Sequence, residues 1–393
     1  MKIFVRQALM VFVGLFLAGT ALVSSSCKSV SPAKDETVSI HKGKSVKEIV
    51  KTFDVKGRAC VLADNLYGSV NVSYWNENKV EFRVVIEVDA ASEKKKSEML
   101  NSITIDFDES QKLVNGKSMS CFSGKTRFSK SYSCRNCQTS IRYYICVPYN
   151  LENLSLKQKY GNVVIDADEI NAETELSVMY GGIKAGNFKK PLSVVSSYSE
   201  IHIGSMAEKS EMKLQYCSSV KLGDSDRQLV LDAAYSDIDL GYIDHFTGNV
   251  IYGDLTMKGV RKQIGMDIKY GDVKIERIDG LRTDNQIDVY YGDLRIGYFS
   301  NKSGSWTLRS FYSDMKIGIP RNECFELNMM KVGSYSDVSL DGFEDVWSKG
   351  LPEGGKNLPK SYFVNCSGHK DRKADWRIDF DGVHYGDLRI KAL

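Results

Sequence analysis

Hydrophobic residues in the middle of this chain alternate, stop, and start again in a new phase. Ahead of Tyr235 they fall at Leu229, Leu231 and Ala233, with period 2. That spacing predicts a strand with one buried face. The next apolar residue after Tyr235 is Ile238, followed by Leu240, so Ser236-Asp237 predicts a corner. A second phase break runs from Leu240 to Ile243, and again from Ile203 to Met206, Ile275 to Ile278 and Ile296 to Phe299. Glycine often opens this second corner, as at Gly186, Gly204, Gly223, Gly241, Gly297 and Gly318. It accepts backbone angles that other residues resist. Each unit therefore reads as strand, corner, short strand, corner, short third side and polar turn.

The unit repeats. Its mark is a phrase of Tyr, Gly or Ser, Asp or a small polar residue, then apolar, any, apolar. Tyr270-Gly271-Asp272-Val273-Lys274-Ile275 and Tyr291-Gly292-Asp293-Leu294-Arg295-Ile296 are clear copies. The tyrosines are Tyr67, Tyr160, Tyr180, Tyr198, Tyr216, Tyr235, Tyr252, Tyr270, Tyr291, Tyr312, Tyr335 and Tyr385. From Tyr160 to Tyr335 the steps are about 17 to 23 residues, and a period near 20 marks a solenoid. The predicted fold is all-β: a parallel β-helix with coils of about 17–23 residues and strands about 4.8 Å apart along the axis. The general chirality of crossover connections makes it right-handed. Tyr216 is followed by one extra residue before Val220, as a bulge would be. The tyrosines continue the buried phase, so their rings are expected to face inward or line the corner. They would form one column of Tyr160, Tyr180, Tyr198, Tyr235, Tyr252, Tyr270, Tyr291, Tyr312 and Tyr335.

Residues 1–27 read as a lipoprotein signal peptide. Lys2 and Arg6 precede an apolar run from Ala8 to Val23 that is too short for a comfortable membrane span. Small residues then lead to Cys27, the expected lipid-attachment site, although Ser24 stands where an aliphatic residue is usual. An ordinary cleaved signal is the alternative. Residues 28–52 are polar and basic and read as a flexible tether. Residues 53–150 form an N-terminal cap, which a solenoid needs to cover its first edge. Within it Ser92 caps a short helix over about Glu93 to Asn101. Residues 108–140 show no periodicity and are expected to be a long loop. The β-helix covers 151–393, with a loop insertion at about 342–375. Trp376–Phe380 and Tyr385–Ile390 restore the pattern and are expected to close the far end.

A chain with 42% hydrophobic and 26% charged residues is ordinary for a globular protein. The formal charge is +3, and Lys2 and Arg6 belong to the signal, so the remainder is near +1. Net charge therefore argues for no nucleic-acid or polyanion partner.

Several features together carry a resemblance. They are the lipoprotein-like signal, Tyr67-Gly68-Ser69-Val70 with Tyr74-Trp75-Asn76 behind it, the helix, Val147-Pro148, and then Lys159-Tyr160-Gly161-Asn162-Val163 and its echoes. With these the chain resembles the adhesin-like β-helical domain family of bacterial envelope lipoproteins. The resemblance covers most of residues 55 to 393. Its motifs are structural, so they specify a fold more than a function.

Candidate chemistry is sparse. Cys121, Cys134, Cys137 and Cys146 cluster near the cap loop. In an exported, oxidising compartment they read as disulfide cysteines, with connectivity open. A four-cysteine zinc site is the alternative, with a single Cys-x-x-Cys pair and no histidine nearby. Cys217 takes the small corner position, and Cys60, Cys324 and Cys366 have no assigned place. His41, His202, His245, His369 and His384 are scattered, and neither a Gly-x-Ser-x-Gly elbow nor a His-Glu-x-x-His motif occurs. The insertion, with Glu344, Asp345, His369, Lys370 and Arg372, is the one place where a loop-walled active site is conceivable.

Asp237, Asp254, Asp272, Asp293, Asp314 and Asp337 should form a row up one corner. A chain of bound calcium ions is one way to offset their repulsion. Backbone N–H donors, together with a basic row of Lys184, Lys221, Lys274, Arg295, Lys316 and Arg389, is the other, and the expected one. No metal or other cofactor is expected. The functional expectation is a non-enzymatic, lipid-anchored protein of the bacterial envelope, outer membrane by expectation. It would have an adhesin-like binding or scaffold role, with a surface glycan or protein as partner and no nucleic acid. The alternatives are a carbohydrate-active β-helix enzyme, lyase or hydrolase, and an envelope stress-response scaffold without an external ligand.

Overall fold

A computed structural model describes residues 36–41, 43–114, 116–129, 137–281, 284–332, 336–349, 360–366 and 373–393. The signal peptide, Cys27, Cys134 and Tyr335 lie outside these residues. Among these residues the protein is all-β with one short helix, and the strands form one sheet.

The repeated unit builds a parallel stack of tiers. Leu192 pairs with Thr174 below it and Ser210 above it, Ser210 with Leu229, and Leu229 with Phe246. The second side follows the same order, with Ile201 on Val220 and Val220 on Ile238. The third side does too: Phe188, Met206, Ser225, Ile243, Val260, Ile278 and Phe299 lie in one row, and all are buried. Pairing also closes on itself. Leu192–Ile203, Ser210–Gln215, Ser225–Ala234, Ile238–Ile251 and Ser219–Leu222 make a ring of five parallel strands, with most of the sheet outside it. The ring closes because Leu192–Ile203 and Ile238–Ile251 run through corners and pair by both ends.

The core is a column along the stack. Leu229, Leu231 and Ala233 from the first side meet Ile238 and Leu240 from the second and Ile243 from the third, each at most 4% exposed. Late tiers fill it with aromatics: Phe299 packs edge-on against Trp306 and Trp376, and Trp376 stacks on Phe325.

Both ends are built out of sequence order. At the start, Ala59–Trp75 pairs with Asn153–Ile170 on one side. On the other it pairs with Lys117–Phe128 and Gln138–Pro148. The antiparallel series Glu36–His41, Lys44–Asp54 and Lys79–Asp89 continues outward from Gln138–Pro148. At the far end, Trp376–His384 and Leu388–Ala392 do not close the stack. They lie between the tier of Ser305–Ile319 and that of Phe325–Asp341, with Lys316 paired to Arg389 and Arg389 to Ser339. The chain skips one level and fills it last. Sequence phrases identify which units stack, but identical phrases do not encode their order.

Three expected loops contain strands. Residues 36–41 and 44–54, which run through the expected tether into the cap, pair at the cap's edge; their charged residues suit a half-exposed edge strand. Residues 103–114 and 117–128 make an antiparallel pair, and from residue 108 onward a loop was expected; backbone pairing holds that part with few alternating apolar positions. Val346–Lys349 and Lys360–Val364 form antiparallel strands that cover Phe325–Val332. The helix runs Glu93–Ser102, and the Ser92 hydroxyl accepts from the Lys95 N–H at 3.4 Å.

Candidate binding surface

The corner between first and second sides carries the tyrosines. Eleven of them, from Tyr67 to Tyr385, hold a backbone φ of 48–64°. That left-handed region is uncommon for a bulky residue. It reverses the side chain relative to strand alternation. Of the two expected placements the inward one does not occur: Leu229, Leu231 and Ala233 point in, and Tyr235 turns outward to line the corner, 47% exposed.

The rings form one stack. Ten successive pairs have centroids 4.7–5.2 Å apart and planes within 6–12° of parallel. Tyr216 belongs to it, between Tyr198 and Tyr235, and Tyr385 sits on Tyr312. Each left-handed residue costs about 1–2 kcal/mol. Each stacked pair returns about 0.5–1.5 kcal/mol, and half-burying a ring removes about 100 Å² from water, worth about 2.5 kcal/mol. Stacking and burial together outweigh the strain. Because neighbours cover the ring faces, the column shows solvent its edges and hydroxyls.

The residue after tyrosine is fixed by the tier beneath it. A Cβ on Gly271 would stand 2.0 Å from the Gly253 carbonyl oxygen. Where serine occurs, it turns inward: the Ser236 hydroxyl donates to the Ala234 carbonyl and accepts from the Cys217 N–H, both at 3.0 Å.

The acidic row is a hydrogen-bond ladder. Each Oδ1 accepts the backbone N–H of the aspartate in the next tier. Asp237 accepts from Asp254, Asp254 from Asp272, Asp272 from Asp293 and Asp293 from Asp314, at 2.8–3.1 Å. The ladder then passes through Asp387 to Asp337. Asn187 to Ser205, Asp224 to Tyr242 and Asp284 to Ser305 repeat the device at other corners. The Asp284 carboxylate also accepts the Ser305 hydroxyl, and these bonds hold its pKa below the ordinary value.

The basic row stands on the second side as expected, in the order Lys184, His202, Lys221, Asp239, Thr256, Lys274, Arg295, Lys316 and Arg389. Its expected pairing with the acids is largely absent. Arg389 reaches Asp387 at 3.3 Å, while Lys274, Arg295 and Lys316 form no ion pair among the described residues. The aspartates have turned along the axis toward N–H groups instead.

Among the described residues, Cys60 and Cys121 face each other in register and form a disulfide, as do Cys324 and Cys366. Cys137 and Cys146 are also disulfide-bonded. Cys121 is thus joined to a residue that the sequence left unplaced, which removes it from a four-cysteine zinc set. Cys217 is buried at its corner, and burial raises its thiol pKa.

Grooves mark the walls among the described residues. One, about 730 Å³, borders the start of the first side. There Gly265, between Thr247 and Gln286 in register, leaves a dent beside Lys209, His245 and Asp284. The second, about 570 Å³, lies on the second side below the corner glycines. A small third one, about 250 Å³, sits among Lys269, Tyr270, Tyr290, Tyr291 and Phe311. Periodicity revealed rows but not grooves, because a groove forms where a row loses a side chain or a neighbouring wall rises. Glu344 and Asp345 of the insertion are described; His369, Lys370 and Arg372 lie outside the described residues.

No protein-family model matches the chain, and no curated protein does. Two solved structures align along most of it. One is a proposed cell adhesion protein from Clostridium sporogenes ATCC 15579, 12% identical, covering 88% of this chain and 100% of its own, with a TM-score of 0.17. The other is a proposed adhesin from Bacteroides fragilis NCTC 9343, 11% identical, covering 87% and 96%, with a TM-score of 0.22. The likeness to adhesin-like chains is distant, and at these TM-scores it carries no argument.

Proposed function

We propose that the chain is a non-enzymatic, lipid-anchored protein of the bacterial envelope whose walls bind a partner in an adhesin-like role. The stack is then a right-handed parallel β-helix, tethered through Cys27 to the outer membrane. The observation that supports this reading best is the division of labour between surfaces. At the corner, tyrosines and aspartates are engaged with their counterparts in neighbouring tiers. On the walls, rows of polar and basic side chains face solvent, with Lys184, Lys221 and Lys274 all exposed. Corners that hold the stack leave walls free for recognition.

A carbohydrate-active enzyme working in the groove beside Gly265 would have Glu208 and Asp284 as its acids. Asp284 is bonded to Ser305 of the next tier and held ionised, which suits a structural link better than a proton donor. The test uses intact cells. The full chain should be cut by added protease and released by Cys27→Ser, and it should bind members of a glycan and matrix-protein array. A chain that stays in the cytosol, or binds nothing in the array, contradicts the reading.

A further inference from the structure

The second-side groove has an unusual charge state. Lys184, His202 and Lys221 stand directly above one another in register on the outward face of neighbouring tiers. All three are exposed, and Lys258 joins them along the groove's edge. Among the described residues Lys184, Lys221 and Lys258 form no ion pair. His202 lies 3.6 Å from Glu200. Two acids line the groove. Asp224 is taken by Arg261 at 2.9 Å and by the Tyr242 N–H, and Asp239 marks the end of the basic run.

The concavity is built into the backbone. Gly204, Gly223 and Gly241 form its floor. A Cβ on Gly223 would lie 2.7 Å from the Gly204 carbonyl, and one on Gly241 would lie 2.2 Å from Asp224 Oδ1. Side chains are therefore excluded there. In the next tier, where Met257 pairs with Leu240, the like position is Lys258, which raises a wall at the groove's end.

Lys184 and Lys221 stand two tiers apart, with His202 between them. At about 9.6 Å a pair of unit charges costs about 0.4 kcal/mol in water, and more in a groove. Among the described residues no carboxylate is in ion-pair contact with them, although Asp239 follows Lys221 in the row. Lysines set along the axis of an open groove match a linear polymer that carries an anionic group on successive units. A small anion would use one tier and leave the rest unpaired. A single-stranded nucleic acid would draw on aromatic faces to stack its bases, and the tyrosine faces are occupied by each other.

We propose that this groove binds a linear acidic polysaccharide, its carboxylates or sulfates set against Lys184, His202, Lys221 and Lys258. The proposal deepens the binding reading above and rests on it. Net charge conceals such a site, because the paired and acidic surface elsewhere cancels it.

The test titrates the full chain, in detergent micelles, with polygalacturonate and with heparin, beside dextran and poly(dT). The expected result is saturable binding of at least one acidic polysaccharide, weakening as salt rises. The double variant Lys184→Gln with Lys221→Gln should weaken it by about tenfold. Lys274→Gln with Lys316→Gln, on the same row outside the groove, should leave it within about twofold, and Asp239→Asn should strengthen it. These side chains are exposed, so all variants should keep the wild-type circular dichroism spectrum. Equal losses in both lysine pairs would overturn the site, and poly(dT) binding as tightly would overturn the ligand class. Binding of dextran or an array protein, but of neither acidic polymer, would overturn this proposal and leave the binding reading standing. Binding of nothing would end both.

Discussion

Tyr235 and Tyr252 stack face to face, with centroids 4.9 Å apart and planes 10° from parallel, and both hold a positive φ, 54° and 57°. Strain and stacking thus occur in the same residue. Replacing Tyr252 by alanine keeps the strain and removes two stacking partners, Tyr235 and Tyr270. Replacing it by glycine removes the stacking and relieves the strain. Tyr252→Ala should cost about 3–4 kcal/mol and Tyr252→Gly about 1 kcal/mol less, read by urea unfolding. Glycine costing as much as alanine would show that the left-handed backbone carries no strain here.

The Asp272 carboxylate accepts the Asp293 N–H at 2.9 Å. Asp272→Ala leaves that donor without its partner and should cost about 1–2 kcal/mol. Asp272→Asn keeps an acceptor oxygen and should cost less than half as much. Calcium should not change the midpoint of either curve. Tight stoichiometric calcium binding in calorimetry, abolished by Asp272→Asn with Asp293→Asn, would make the row a metal site instead.

Asp284 reports pH through a single contact. The Ser305 hydroxyl and N–H hold its folded pKa below the unfolded value. The associated stability is therefore present above the unfolded value, near pH 4, and is lost as pH falls through the depressed folded value. Ser305→Ala should raise the Asp284 pKa toward the ordinary range in a carbon-detected NMR titration. An unchanged titration would remove the hydroxyl as its cause.

Removing Trp376 to Leu393 takes out a tier from inside the stack. Ser305–Phe311 keeps Asn285–Tyr290 on one side and loses its parallel partner on the other, Phe325–Val332 loses its parallel partner, and tiers from Tyr160 to Tyr270 keep theirs. Hydrogen exchange should accelerate across 305–332 and remain slow across 174–269, since a stacked array is stabilised mainly by nearest neighbours. Uniform acceleration along the chain would mean that the stack unfolds as one unit.

Much of this architecture was legible because each side of a tier has its own phase. Leu229, Leu231 and Ala233, then Ile238 and Leu240, then Ile243 are buried as their spacing required. The inward placement allowed for the tyrosines failed for a physical reason. Periodicity presumes extended backbone, and a left-handed residue inverts the side that it presents. The order of the last tiers was hidden because Tyr312, Tyr335 and Tyr385 carry similar phrases. The cap strands Glu36–His41 and Lys117–Phe128 were hidden because edges are held by backbone pairing, with few apolar positions to mark them. Of the candidate surface, Lys184 and Lys221 were visible as a row. The groove beneath them depends on three glycines aligning in space, and on the aspartates turning away from the lysines.

The central claim is that this stack binds without transforming what it binds. The most direct measurement incubates the full chain with each polysaccharide that it retains, then determines polymer length and end groups. Binding with unchanged chain length and no new reducing or unsaturated ends is the predicted result. Shortened chains accumulating with time, at a rate lowered by Glu208→Gln or Asp284→Asn, would contradict it.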